Sequence, residues 1–144
     1  MSTPGSWEWA EDEAERWLKA KSDANMNFAW HRYPDSKAAR NALGPQPSDY
    51  IVGYKGFATH LEVKKTDQAT RLPLSKIRQY GKLKMFHEAG FQTIVLIYRS
   101  TQGDWIYLIA SELFPDGDAP KSFPIGNHHK AFPTAAAALQ EIFA

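Results

Sequence analysis

The chain has no cysteine. That excludes a disulfide framework and a thiolate metal site, and it suits a reducing compartment such as the cytoplasm. No apolar run reaches the length that crosses a bilayer. The first residues, Met1-Ser2-Thr3-Pro4-Gly5-Ser6, also lack the basic and apolar pattern of a secretory leader. No membrane is therefore expected as a partner, and no internal repeat divides the sequence. What remains is 144 residues with the apolar and charged content of an ordinary globular protein. That is one domain's length, enough for a single substantial core. One domain over 1–144 is expected, flexible over 1–6 and with a mobile loop or partial helix over 34–46.

Net charge is nearly absent too, at +1, but its distribution is uneven. Residues 30–86 hold eleven basic residues against four acidic ones, whereas each flank holds three basic and six acidic residues. A basic middle favours a polyanionic substrate, although a merely solvated face gives the same pattern.

Within that middle, residues 47–64 read as two strands around a tight turn at Lys55-Gly56. Both arms are rich in aromatic and β-branched residues, and a Gly stands where a two-residue hairpin loop tolerates positive φ. If Tyr54 pairs with Phe57, counting outward sets Asp49 opposite Glu62. Lys64 then shares their face, while Leu61 and Val63 point to the other. Like charges directly opposed destabilise a sheet. A divalent cation between the two carboxylates would turn that repulsion into coordination; the bland alternative is a hairpin whose acids pair with Lys64 and Lys65.

Pro47-x-Asp49 followed by Glu62-Val63-Lys64 resembles the PD-(D/E)XK motif of the restriction-endonuclease-like nucleases. Asp49-Tyr50-Ile51-Val52-Gly53-Tyr54-Lys55-Gly56, Glu62-Val63-Lys64-Lys65-Thr66 and Leu72-Pro73-Leu74 narrow it. They look like Holliday junction resolvases of the bacterial RecU kind. The N-terminal Ala10-Glu11-Asp12-Glu13 looks more like the archaeal resolvases. The likeness is good over roughly residues 10–100 and loose beyond.

The resemblance implies a Mg²⁺-dependent endonuclease, with Mn²⁺ as a substitute, that cuts branched DNA at four-way junctions as a homodimer. Asp49 and Glu62 would hold the metal, with the Val63 carbonyl, and Lys64 would be the catalytic cation. A helical Glu with an apolar residue seven positions later completes the metal site in those resolvases. Glu11 with Leu18 fits, and Glu8 is the alternative. Lys37, Arg40, Lys65, Arg71, Lys76, Arg78 and Gln79 are the candidate DNA contacts. Two rival readings stay open: a nuclease of the same superfamily acting on linear or flapped DNA, and a catalytically silent DNA-binding module.

The remaining elements follow from pattern. Trp7 to about Ala20 reads as a helix, with Ala10, Ala14, Trp17 and Leu18 at helical spacing. Asn27–Tyr33 reads as a strand, and 67–74 as a loop. Ser75 is expected to cap a helix that runs to about Ala89 and stops at Gly90. Gln92–Arg99 reads as a doubly buried strand. Trp105–Ala110 reads as a further strand, and 115–133 as a loop whose His128 and His129 are exposed or touch phosphate. Thr134 opens a last helix. The expected class is α/β, a restriction-endonuclease-like core in the order α-β-β-β-α-β plus one strand and a C-terminal helix, on a mixed sheet. Trp7, Trp9, Phe91, Trp105 and Phe114 are set aside as interface material, since aromatics are enriched there; capping the monomer core is the alternative.

Overall fold

The computed structural model describes residues 3–34, 46–126 and 128–144. Lys37 and Arg40 lie outside the described residues.

Helix α1 covers Trp7–Ala24. Ser6 caps it, its hydroxyl accepting the Trp9 N–H at 3.1 Å, a donor the helix start would otherwise leave unpaired. Ala10, Glu11, Ala14 and Leu18 form its buried stripe. The helix runs a turn beyond the apolar pattern because polar side chains close it: the Asn25 amide donates to the Lys21 carbonyl at 2.9 Å.

Strands β1 (Phe28–Arg32), β2 (Tyr50–Tyr54) and β3 (Phe57–Thr66) then form an antiparallel meander. The β2–β3 turn has φ of 52° at Lys55 and 82° at Gly56. Both are left-handed, as a type I′ hairpin requires. Tyr54 pairs with Phe57 and Tyr50 with Leu61, which is the register read from the sequence.

A short strand β4 (Arg71–Pro73) precedes helix α2 (Tyr80–Glu88), and β5 (Gln92–Arg99) returns parallel to β3. Strand β6 (Asp104–Ile109) is antiparallel to β5. The chain finishes with α3 (Ala110–Leu113), β7 (Ser122–Pro124), which pairs with β4, and α4 (Ala135–Ile142). The main sheet is mixed, in the order β1-β2-β3-β5-β6.

The sheet is buried on both sides by separate clusters. Leu61, Val63 and Leu96 face α1 and α4, joined by Leu18, Trp105 and Leu139. Val95, Ile97 and Leu108 face Leu83 of α2, Leu113 of α3 and Phe123 of β7. Each such side chain stabilises the fold by about 1.5–3 kcal/mol. The continuous apolar run of β5 is the consequence of lying between the two. No helix among the described residues is long and apolar enough to cross a membrane.

Three expectations need correction. Ser75 does not open α2: Leu74–Lys76 is a single 3₁₀ turn, Ile77 leaves helical geometry at φ −107° and ψ 80°, and Gln79 is the N-cap. The reason is burial, because Ile77 is drawn into the second cluster. The loops at 67–74 and 115–133 supply β4 and β7, which pair with each other. Finally, four of the five aromatics set aside as interface material pack within the monomer, Trp105 buried and Trp9, Phe91 and Phe114 half-buried. Trp105 is buried, Trp9 packs on Tyr98 and Trp105 at 5.0 and 5.8 Å, Phe91 stacks on His60 and Phe114 packs on Tyr80. Trp7 alone of these is exposed, at 59%.

Candidate active site

Arg32 pairs with Tyr50 and Tyr50 with Leu61. The next residues outward, Tyr33, Asp49 and Glu62, therefore form one row, just past the ends of β1 and β2 and in the middle of β3. Two hydrogen bonds fix the row. The Tyr33 N–H donates to the Asp49 carbonyl at 2.9 Å. The Val63 N–H donates to Asp49 Oδ2 at 2.7 Å, so a side chain rather than the main chain closes the ladder here. Asp49 and Glu62 are brought together as the hairpin count requires.

Lys64 joins them, its Nζ 2.9 Å from Glu62 Oε2. Glu11 arrives from α1 on the other layer. It is 7% exposed, and Asp49, Lys64 and Glu62 all act on its charge. Glu8, the alternative on the same helix, is exposed. The Tyr50 hydroxyl donates to the Glu11 carbonyl at 3.4 Å, which ties that turn of α1 to β2.

The electrostatics record crowding of one sign. Burial, then Asp49, raise Glu11 to about 7 against the pull of Arg32 and Lys64. Burial, then Asp49, also raise Glu62, despite Lys64 beside it. Burial raises Asp49 although the Val63 N–H, Lys64 and Arg32 favour its ionised form. Burial alone would lower Lys64, but Glu62 and Asp49 outweigh it and hold the ammonium charged. Carboxyls that resist ionisation beside one another cluster where function needs them.

The donor set suits a hard divalent cation. Carboxylates and a main-chain carbonyl are oxygen ligands, and Mg²⁺ typically takes one or two carboxylates with waters and phosphate oxygens completing the shell. Among the described residues no three His, Asp or Glu side chains are gathered to hold an ion by themselves. The fit is thus to a pair, Asp49 and Glu62. Glu11 is turned toward Arg32, whose Nη2 lies 3.3 Å from Glu11 Oε1 and whose Nη1 lies 3.4 Å from Glu15 Oε1.

The expected DNA contacts are dispersed. Arg71 on β4, Lys76 and Arg78 are exposed, and Gln79 is half-buried at the start of α2. Lys65 pairs with Tyr98 and stands on the α1 side of the sheet, the face opposite Glu62 and Lys64. His128 is exposed, whereas His129 contacts Glu112 and accepts the Gly126 N–H at 3.0 Å. Sequence reasoning counted Arg32 only as one of the basic residues and passed over Tyr33. Their signal was the register of β1, which becomes readable only once β1 is paired to β2.

No model of a known protein family matches the chain, and no curated protein matches it by sequence. Among solved structures it is similar to Hjc of Archaeoglobus fulgidus, a Holliday junction resolvase from an archaeal hyperthermophile. The TM-score is 0.55 at 16% identity, over 93% of this chain and 99% of that one. The likeness establishes the fold: a mixed five-stranded sheet flanked by helices, the restriction-endonuclease-like arrangement expected from the sequence. It also bears out, at the level of fold, the resemblance to archaeal resolvases.

Proposed function

We propose that this protein is a Mg²⁺-dependent endonuclease that hydrolyses phosphodiester bonds in four-way DNA junctions. One observation carries the reading: Asp49, Glu62 and Lys64 converge where β2 begins beside the middle of β3, in a fold shared with a junction resolvase. Asp49, Glu62 and the Val63 carbonyl are the residues that would hold Mg²⁺, or Mn²⁺ in its place, with Glu11, paired to Arg32, beside them. When bound, the ion would supply a more acidic water and offset negative charge developing on the scissile phosphate.

The chain's own groups do the rest. The Val63 N–H orients the Asp49 carboxylate. Lys64, kept charged by Glu62 and Asp49, is placed to stabilise charge that develops on a phosphate oxygen. Arg32 holds Glu11 beside the pair. Affinity would come from phosphate contacts by Lys37, Arg40, Arg71, Lys76 and Arg78, with little base readout, because a junction differs from a duplex in shape. A C₂ homodimer would set one site against each of two symmetry-related strands.

The test is cleavage of a four-way junction and of a linear duplex of matching sequence, with Mg²⁺ and with excess EDTA. Junction-selective, metal-dependent cutting that Asp49→Asn abolishes is expected. Equal cutting of the duplex would move the substrate to linear DNA, and binding without cutting would leave a DNA-binding module.

A further inference from the structure

Two buried side-chain polar atoms lack a hydrogen-bond partner among the described residues: Nδ1 of His60 and Oγ1 of Thr93. They are register partners. His60 on β3 pairs with Thr93 on β5, so the two side chains stand side by side on one face, with the strands about 4.8 Å apart. Buried polar groups in native proteins are nearly always paired, so two neighbours that are bonded neither to each other nor to anything else point to one water shared between them.

The imidazole has little freedom to seek another. His60 is 0% exposed, stacked on Phe91 at 4.9 Å with Phe86 edge-on at 4.8 Å. Its other nitrogen, Nε2, lies 3.4 Å from the hydroxyl of Tyr33. Tyr33 in turn holds the Asp49 carbonyl through its own N–H at 2.9 Å. One residue therefore grips the backbone of Asp49 with its main chain and reaches the strand of Glu62 with its side chain, over the top of β2.

Donor and acceptor strengths set the direction of the chain of bonds. A phenol is a stronger donor than an imidazole N–H, and an imidazole nitrogen is a stronger acceptor than a phenolic oxygen. An aliphatic hydroxyl oxygen also accepts better than a phenolic one. Each group meets its best partner if the protons point from Tyr33 through His60 to Thr93, and such chains polarise one another.

We propose that Tyr33 is a positioning residue for the Asp49–Glu62 pair, braced from behind by His60 and Thr93. The Tyr33 hydroxyl donates to His60 Nε2, and His60 Nδ1–H is linked to Thr93 Oγ1 through one bridging water. The brace sets the spacing of the two carboxylates by linking β1, β3 and β5. This rests on the reading of Asp49 and Glu62 as the ion-binding pair.

The test compares wild type with Tyr33→Phe, Thr93→Val and, as control, Tyr107→Phe. Tyr107 also loses a hydrogen-bonded hydroxyl, to Glu141 at 2.8 Å, but lies outside the row. Mn²⁺ binding is read from the electron paramagnetic resonance signal of the free ion, and junction cleavage under single turnover at saturating DNA. The protonated nitrogen of His60 is read from long-range ¹H–¹⁵N correlations. Tyr33→Phe is expected to weaken Mn²⁺ binding and lower the cleavage rate by about five- to tenfold each, with junction affinity unchanged. Thr93→Val should move both in the same direction and Tyr107→Phe neither. Wild-type His60 should carry its proton on Nδ1. Unchanged Mn²⁺ affinity and rate in Tyr33→Phe, or a proton on Nε2, would overturn the brace. A wild type that bound no Mn²⁺ would overturn the ion-binding reading instead, and the His60 tautomer would still report on the brace.

Discussion

Val63 donates its main-chain N–H to the Asp49 carboxylate at 2.7 Å, so the strand that carries Glu62 also orients the acid facing it. An amide oxygen can accept that bond and a methyl group cannot. Asp49→Asn is therefore expected to keep near wild-type stability and junction binding while losing cleavage. Asp49→Ala should lose cleavage and also about 1–3 kcal/mol of stability, because the buried Val63 N–H is left without an acceptor. Urea denaturation of both variants checks the difference. Equal stabilities would mean the bond contributes nothing.

The raised carboxyls make a prediction about pH. Glu11 moves from the usual 4.5 to about 7, and Glu62 moves in the same direction. Between those values the folded state holds protons that the unfolded chain has released. The stability these groups contribute is fully present below pH 4.5 and is lost as pH rises through 7. The metal-free protein should show a Tm that falls across this window, and Glu11→Gln a shallower fall. Mg²⁺ at pH 8 should restore part of the loss, since binding to the folded state alone stabilises it. A Tm that rises through the window in metal-free buffer contradicts the assignment.

Arg32 bridges Glu11 and Glu15 from β1 to α1, and its side chain is 42% exposed. Glu11→Gln should cost far more cleavage than Glu8→Gln, since Glu8 is exposed and Glu11 is buried beside the row. Arg32→Gln should raise the pKa of Glu11 further, because it removes the strongest influence that lowers it. The pH profile of single-turnover cleavage reads this out as a shift of its acid limb to higher pH. An unmoved limb would detach Arg32 from the site.

Lys37 and Arg40 are assigned to phosphate from the sequence. Neutralising both should weaken junction binding and flatten its salt dependence by roughly 0.9 per lost contact on a log–log plot. Fluorescence anisotropy across a salt series measures the slope. An unchanged slope returns the segment to the role of solvated connector.

Paired cutting tests the assembly. Light scattering should give twice the monomer mass. Active subunits mixed with Asp49→Asn subunits should leave single nicks in a supercoiled cruciform in place of coordinated double cuts. A monomeric mass with undiminished double cutting would rule the dimer out.

The site's first two acids were legible without coordinates because a two-residue turn at Lys55-Gly56 sets a local register, and counting outward from Tyr54 and Phe57 reaches Asp49 and Glu62. The same locality made β5 and the helix start at Thr134 readable, the first from its apolar run and the second from a side-chain oxygen that accepts a helix N–H. What lay beyond counting needed contacts between distant segments. Glu11 meets Asp49 only because the buried stripe of α1 docks on the sheet, and Arg32 meets Glu11 only because β1 pairs with β2. The pairing of β4 with β7 and the packing of Trp9, Trp105, Phe91 and Phe114 on neighbouring rings were decided in the same way. Periodicity and turn chemistry state which residues share a face. Which two faces close on each other is settled by packing over the whole chain, and there Tyr33, His60 and Thr93 are brought together.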